Sequence, residues 1–343
     1  MSSGKVVTFG EVMLRLSPPG YLRLLQTSAL EMTFGGAEVN VAVSLAMLGM
    51  DAAFVTRLPE NDVAQLFINQ ARGLGVDTSH VLRGGDRMGV YFVEKGAAQR
   101  ASTVLYDRAH SAIAEIDPAE LDWDAIFAGA KGFHVTGITP ALSDSAARAA
   151  LEGAQRAKAN GLLVSCDLNY RKKLWSQEKA GKVMGELLPF VDLCIANEED
   201  AETVFGIKAE GTDLTGGVIE HARYEEVAQK LVARFPNLKG VAITLRESYS
   251  ASRNGWSGML YWEGKPYFSR RYEIDIVDRV GGGDSFAAGL IYSLVGGKGP
   301  QDAVEFAVAA SCLKHSIPGD FNFIRRAEVE TLLKGDGSGR VQR

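Results

Sequence analysis

The sequence is poor in cysteine and histidine, the residues that build disulfide frameworks and many metal centres. Among 343 residues there are three cysteines (Cys166, Cys194 and Cys312) and five histidines, with no spacing typical of a metal site. Three distant thiols in apolar segments are typical of a reducing compartment, so we expect a cytoplasmic protein.

Long apolar runs and an excess of basic charge are also missing. No stretch has the length of a membrane-spanning helix, and the start, MSSGKVVTFGE, lacks the apolar segment of a signal peptide. A net charge of −5 argues against general affinity for nucleic acid or membranes. With 46% hydrophobic residues, the chain can form a large core. We therefore expect a globular enzyme that acts on small molecules.

Strand-like apolar segments alternate with helical ones along most of the chain. This alternation is typical of a doubly wound, mostly parallel sheet with helices on both faces, so the predicted fold class is α/β. The predicted strands are 6–10, 52–57, 132–137, 161–167, 192–196 and 240–245, and the predicted helices are 40–48, 63–74, 143–160, 177–188 and 224–235.

Two segments interrupt this alternation. Residues 13–32 are strand-like or irregular, and 88–108 resembles a hairpin that turns near Gly96. We interpret segments of about 12–34 and 86–110 as a small β lid on a single α/β domain that spans residues 1–335. We also expect a surface loop at 206–224 and a flexible tail at 336–343.

The segment DRVGGGDSFAAG, residues 278–289, indicates the chemistry. Gly281, Gly282 and Gly283 leave backbone N–H groups open to a bound molecule. A helix that begins at about Asp284 would direct its positive end to the same place. Such a cradle binds an anion, and a carboxylate beside it is what phosphoryl transfer to a hydroxyl requires. The alternative is a glycine-rich turn in which Asp284 is only a helix N-cap.

Other nucleotide-binding loops are absent from the sequence. There is no GxxxxGK[ST] motif, and no GxGxxG follows the first strand, which argues against a dinucleotide enzyme. A second glycine pair, Gly35 and Gly36, precedes an apolar helix that carries Asn40 and Ser44 on one face. A ligand could approach the backbone there, although a flexible entry to a buried helix is an equal interpretation.

Taken together, the GGxxxNxA pattern from Gly35 and the DxVGxGDxFxxG pattern from Asp278 resemble the two signatures of the ribokinase-like (PfkB) carbohydrate kinases. The resemblance covers nearly the whole chain. It implies that Asp284 is the catalytic base, that the amides of Gly281, Gly282 and Gly283 stabilise the transferring phosphoryl group, and that ATP and Mg²⁺ are bound. Gly282 stands where the family usually has alanine, which leaves its N–H in place.

The resemblance also implies where the nucleotide binds. Asn197 opens ANEEDAE, which resembles the family's NxxE motif, and Glu199 or Asp200 would then contact Mg²⁺ through water. The alternative for this acidic segment is a solvated helix start. The expected nucleotide contacts are Asn197, Thr244, Arg246, Ser248, Gly281 and Gly283.

Arginine and tyrosine side chains are frequent on the expected substrate side. Tyr106 and Arg108 are two residues apart on a strand-like arm and so share a face, and Arg171 follows a strand end. Guanidinium groups suit a carboxylate, so a sugar acid explains both arginines better than a neutral sugar does. Alternatively, Arg108 pairs with Asp107 or a partner subunit, and Arg171 binds only nucleotide phosphate.

The segments GGAEVNVA, LYDRAHSA, DLNYRKKLW, TLRES and KHSIPGDFN resemble the subgroup of the family that phosphorylates 2-keto-3-deoxygluconate at its terminal hydroxyl. This resemblance implies that the substrate contacts are Gly35, Gly36, Tyr91, Tyr106, Arg108, Arg171, Asp284 and Asp320. For Asp320, a simple turn after Pro318 and Gly319 is the alternative. For the whole chain, the alternatives are a fructokinase or ribokinase, or a non-catalytic regulator that binds sugar or nucleotide.

The pattern of the predicted lid strands indicates that the protein is an oligomer. Its strands have one apolar face, which a monomer would expose to water. We therefore expect a homodimer, or a higher homo-oligomer, that forms through the lid.

Overall fold

The computed structural model describes residues 4–197, 199–209 and 221–335. Its strands are β1 (Lys5–Phe9), β2 (Met13–Ser17), β3 (Glu31–Gly35), β4 (Ala52–Leu58), β5 (Val76–Asp77), β6 (Val81–Arg83), β7 (Gly89–Glu94), β8 (Thr103–Asp107), β9 (Ala130–Thr136), β10 (Leu163–Asp167), β11 (Leu193–Ala196), β12 (Gly240–Ser248), β13 (Arg253–Trp262), β14 (Lys265–Phe268) and β15 (Tyr272–Asp275). Its helices are α1 (Ala37–Met47), α2 (Asp62–Gly73), α3 (Trp123–Ile126), α4 (Ile138–Leu142), α5 (Asp144–Ala159), α6 (Gln177–Leu187), α7 (Asp200–Phe205), α8 (His221–Arg234), α9 (Gly282–Val295), α10 (Pro300–Lys314) and α11 (Arg326–Leu333).

A large, mostly parallel sheet organises the body. In the described part of the chain it has eleven strands in the order β14-β13-β12-β11-β10-β9-β1-β4-β5, with β15 beside β13 and β6 beside β4. Strands from β12 to β5 run parallel, and the pairings of β13 are antiparallel. Helices cover both faces, which confirms the predicted α/β class.

The core lies in two layers because successive strand residues point to opposite faces. Val7 and Phe9 of β1 pack in one layer with α5, α6 and α8, whereas Val6 packs in the other with α1, α2, α9 and α10. Three of the covering helices begin at capping side chains, Asn61, Ser143 and Ser176, each of which accepts a backbone N–H bond. Within the described ranges no helix has the length and apolarity needed to cross a membrane.

Strands β2, β3, β7 and β8 form a separate four-stranded sheet in the order β3-β2-β7-β8, in the segments predicted to form the lid. The hairpin predicted around Gly96 is confirmed by the antiparallel pairing of β7 with β8. The register gives this sheet two different faces. One cross-strand row consists of Thr33, Arg15, Tyr91 and Tyr106, and the next, on the opposite face, consists of Met32, Leu16, Phe92 and Leu105.

Several element boundaries differ from the predictions. Helix α9 begins at Gly282, two residues before the predicted start, because Gly281 adopts the left-handed conformation (φ 82°) and acts as the N-cap. Strand β12 continues beyond Leu245 to Ser248, because β13 pairs with it over its whole length. Helix α8 begins at His221, within the predicted loop. Residues 210–220 of that loop and the tail at 336–343 lie outside the described residues.

Helices α9 and α10 approach closely at Gly289, the last glycine of the 278–289 segment. A Cβ on Gly289 would stand 2.6 Å from the Ala307 Cα. We expect Gly289→Ala to lower the free energy of unfolding by about 1–3 kcal/mol, because the helices must separate. Chemical denaturation measures the change.

Gly185 in α6 provides the matched control, because a Cβ there would meet no atom within 4 Å. Gly185→Ala should leave the protein as stable or raise its free energy of unfolding by about 0.5–1 kcal/mol. Equal stability of the two variants would contradict the packing argument.

Candidate active site

A cavity of about 410 Å³ lies between the lid and the carboxyl ends of the parallel strands. Ligands bind at this edge in open α/β sheets. The cavity brings together residues from distant segments that the sequence predicted as site residues: Gly36, Tyr91, Tyr106, Arg108, Arg171, Asn197, Glu199, Asp200, Thr244, Arg246, Gly281, Gly283, Asp284 and Asp320 all line it.

Three predicted site residues do not line the cavity. Gly35 is buried beneath it, where a Cβ would stand 2.1 Å from the Asp320 Oδ2, so this glycine makes room for the aspartate. The N–H of Gly282 donates to the Arg279 carbonyl (3.3 Å) and is not open to a ligand. Ser248 is exposed at the far end of β12, because that strand continues past Thr244.

Asp284 lies in the first turn of α9 and is not the N-cap. Burial raises the pKa of its carboxyl group to about 7. A hydrogen bond from the Asn40 Nδ2 (2.7 Å) opposes this shift, whereas the nearby Asp320 and Glu38 add to it. A carboxyl group that titrates near neutral pH can accept a proton efficiently during catalysis.

Asn40 joins the two glycine segments. Its Oδ1 accepts a hydrogen bond from the Gly36 N–H (3.3 Å), while its Nδ2 holds Asp284. Glu38, two residues earlier on α1, also faces the cavity. Its Oε1 accepts bonds from the N–H and hydroxyl of Thr136 and from the Thr139 hydroxyl, and burial raises its pKa to about 6.

Arg15 is the main residue that sequence reasoning missed. Its buried guanidinium group contacts Asp320 (2.6 Å) and Asp278 (2.7 Å), and the Tyr91 hydroxyl donates to the other oxygen of Asp320 (2.5 Å). Asp320 is therefore more than a turn residue. The sequence offered only a weak signal, because Arg15 stands between Met13 and Ser17 on the inward face of β2 and is its one charged residue.

Arg108 is already paired inside the cavity. It contacts Glu11, whose other oxygen accepts a bond from the Ser111 hydroxyl (2.8 Å), and its guanidinium lies 5.3 Å from the centre of the Tyr106 ring. The alternative pairing with Asp107 is wrong, since Asp107 binds Arg87.

Arg171 has a different environment from Arg108. Its guanidinium donates to the Tyr170 carbonyl (3.0 Å) and forms no ion pair with another described residue. Its charge opposes the rise in the pKa values of Asp167, Asp200 and Asp284 that burial causes. Because Arg171 lines the cavity without an ion pair to the described residues, its guanidinium group is open to an anionic partner.

The cavity also contains most of the expected nucleotide contacts. Asn197 orders the chain just before α7, because its Oδ1 accepts hydrogen bonds from the N–H groups of Glu199 (2.8 Å) and Asp200 (3.0 Å). Asp200 is buried rather than solvated, and burial raises its pKa. Arg279, which was not predicted from the sequence, lines the cavity together with Arg246.

The acidic residues Glu199 and Asp200 of the cavity fit a magnesium ion that is held mainly by phosphates. Across ranges 4–197, 199–209 and 221–335, no group of three or more histidine, cysteine or acidic side chains has the arrangement of a metal site. Mg²⁺ in phosphoryl-transfer enzymes commonly uses one or two carboxylates together with substrate phosphates and water. Glu199 and Asp200 provide these one or two carboxylates.

Comparison with known proteins identifies the class of protein. Residues 3–322 match the model of the pfkB family carbohydrate kinases. The chain is 33% identical to the 2-dehydro-3-deoxygalactonokinase of Haloferax volcanii, covering 98% of this chain and 99% of that protein. It is 27% identical to the 2-dehydro-3-deoxygluconokinase of Thermoproteus tenax, covering 96% and 94%.

Solved structures agree with this result. The crystal structure of 2-dehydro-3-deoxygluconokinase from Thermotoga maritima superposes with a TM-score of 0.92 at 50% sequence identity, covering 96% of this chain and 99% of that one. The chain belongs to the PfkB family of carbohydrate kinases, which transfer a phosphoryl group to an alcohol.

The hydrogen bond from Asn40 yields a prediction about pH. With Asp284 as the predicted catalytic base, turnover needs its carboxylate ionised, and this bond favours the ionised form. Asn40→Ala should therefore raise the pKa of Asp284, so that the rising limb of kcat/KM moves to higher pH. A pH profile of ADP release with the best sugar substrate measures the shift.

Ser44 offers a control one helical turn away from Asn40. Its buried hydroxyl has no hydrogen-bond partner within the described structure, so Ser44→Ala should leave the limb unchanged. If the rising limb of kcat/KM for Asn40→Ala lies at the same pH as in the wild type, this hydrogen bond does not set the proton affinity of Asp284.

Proposed function

We propose that this kinase transfers the γ-phosphoryl group of ATP to the terminal hydroxyl of 2-keto-3-deoxygluconate, giving ADP and 6-phospho-2-keto-3-deoxygluconate. The observation that carries the proposal is the guanidinium group of Arg171, which faces the cavity and forms no ion pair with the described residues. A sugar acid brings the planar carboxylate that such a group binds best. The names of the Thermotoga maritima and Thermoproteus tenax proteins support the same substrate.

The sugar side of the cavity suits an open-chain polyhydroxy acid. Arg171 and Arg108 bind its carboxylate, and the rings of Tyr91 and Tyr106, stacked 5.9 Å apart, border its carbon chain. Asp320 accepts a hydrogen bond from a sugar hydroxyl, since each carboxylate oxygen can accept more than the one bond it receives from the protein.

Asp284 is the general base in the proposed reaction. It accepts the proton of the terminal hydroxyl while the hydroxyl oxygen attacks the γ-phosphorus and the bond to the ADP oxygen breaks. The Gly281 and Gly283 amides, with the N-terminal dipole of α9, stabilise negative charge on the transferring group. When bound, Mg²⁺ neutralises phosphate charge, and Glu199 and Asp200 would contact it through water.

We assign Asn197, Thr244, Arg246 and Arg279 to the phosphates and adjoining groups of the nucleotide, because all four line the same cavity as Gly281 and Gly283. The lid closes over the sugar and excludes water, which limits hydrolysis of ATP. We propose that residues 1–335 act as one domain in the cytoplasm, with the lid joined to the body through the ion pairs of Arg15.

A substrate screen tests the proposed function. Wild-type enzyme should release ADP far faster with 2-keto-3-deoxygluconate or its galactonate-derived epimer than with fructose or ribose. The epimer belongs in the screen because of the name of the Haloferax volcanii relative. Arg171→Ala should raise KM for the sugar acid, because a charged contact contributes about 1.5–3 kcal/mol.

The exposed neighbour Lys172 gives the control, since Lys172→Ala should keep the wild-type KM. Asp284→Asn should bind sugar acid but lose turnover by about 10²–10⁴-fold with every substrate, because the base is gone. Preference for a neutral sugar would refute the sugar-acid proposal and leave the kinase assignment intact.

We also propose that two copies associate through the outer face of the lid. Met32 and Leu105 of the apolar row are each 50% exposed, and Leu25 nearby is 97% exposed. Contiguous exposed apolar surface of this kind marks an interaction site. Leu105→Lys should convert a dimer to a monomer in sedimentation experiments, whereas Leu66→Lys, on α2 outside the lid, should not. A monomeric wild-type protein would remove the proposal.

A further inference from the structure

Lys314 is a buried charge that the proposed reaction does not use. It is the last residue of α10, and the residue is 0% exposed. Its Nζ donates to the carbonyl oxygens of Ile317 (3.1 Å) and Gly319 (2.9 Å), both in the turn that follows the helix. Burial lowers the pKa of Lys314, and the charges of Asp278 and Asp320 act in the opposite direction.

The turn that Lys314 holds supports the anion cradle directly. The Gly319 N–H donates to the Asp278 Oδ2 (3.1 Å), which ties the turn to the loop before the glycines. At Gly281 a Cβ would stand 2.2 Å from the Asp320 carbonyl oxygen and 3.2 Å from the Lys314 Cε. The left-handed N-cap of α9 therefore rests on this turn and on the lysine chain itself.

The surroundings of the Nζ have the chemistry of a monovalent-cation site. Backbone carbonyl oxygens are the ligands that replace water around K⁺ in proteins. Here two carbonyls accept hydrogen bonds from the ammonium group, and the nearby carboxylates of Asp278 and Asp320, which pair with Arg15, also favour its positive charge. A neutral side chain at this position would leave the carbonyls buried without a donor, at a cost in free energy.

We propose that the Lys314 ammonium group is a built-in monovalent cation, which fixes the 317–320 turn and the Gly281 N-cap so that the enzyme needs no bound K⁺ or ammonium ion. Lys314 is a positioning residue, because it acts on the cradle through the turn. The proposal depends on phosphoryl transfer beside Asp284 and not on the identity of the sugar.

Replacement of the side chain by a free ion tests the proposal. Turnover of wild type and Lys314→Ala is measured by ADP release in choline chloride, then in potassium or ammonium chloride at equal ionic strength. Wild-type turnover should be the same in all salts. Lys314→Ala should lose at least about tenfold in choline and regain turnover, with saturation, as ammonium or K⁺ fills the space.

Lys314→Met and Lys334→Ala are the controls. Methionine fills the space without charge, so this variant should be slow in every salt, and Lys334→Ala, on an exposed lysine, should behave as wild type. Activation of wild type by K⁺, full turnover of either Lys314 variant in choline, or a loss in Lys314→Ala that no cation restores would each overturn the proposal.

If Lys314→Ala does not fold in choline, its thermal unfolding with and without ammonium replaces the rate measurement. Stabilisation by ammonium, absent in the wild type, is expected, and no difference between salts overturns the proposal. The assay uses whichever sugar the wild type prefers, so a wrong choice of sugar in the proposed function does not affect the outcome.

Discussion

The packing of several carboxylates around the N-terminus of α9 is the constraint on which the rest of the site depends. Asp278 and Asp320 share the guanidinium group of Arg15 and lie near the Lys314 ammonium. Among the described residues, the side-chain hydrogen-bond partner of Asp284 is the amide of Asn40, and burial and the neighbouring acids raise the pKa of Asp284. The buried cations therefore keep Asp278 and Asp320 in place, while Asp284, which we propose as the base, retains a high proton affinity.

The lid serves two purposes because a strand presents alternate residues to opposite faces. Its inner row contains Arg15 and Tyr91, which hold Asp320 from above, and its outer row is apolar. One pattern in β2 and β7 thus contributes both to the site that we propose for the sugar and to the surface that we propose for dimerisation. Movement of the lid would carry Arg15 with it, so the position of the lid is coupled to Asp320 and Asp278.

The strand and helix pattern was predictable because it depends on local sequence. The predicted and observed starts of α6 agree at Gln177, because Ser176 before it is a recognisable capping residue. Asp284, Tyr106 and Arg171 were found because they stand in recognisable motifs. Arg15 was not, because its meaning depends on Asp320, 305 residues away in sequence.

The predictions for Gly282 and Ser248 were wrong because the backbone hydrogen bonds at these positions could not be foreseen from the motifs. Gly282 and Ser248 were predicted from the motif that contains them, as if every residue of a glycine loop or a strand end faced the ligand. The structure turns the Gly282 N–H toward the Arg279 carbonyl within the same segment, and it extends β12 by pairing with β13, which lies outside the motif. Under the proposed function, Arg171 also couples the binding of the sugar acid to the basicity of Asp284. Its charge lowers the proton affinity of Asp284, so a sugar-acid carboxylate that neutralises Arg171 makes Asp284 a stronger base when substrate is bound.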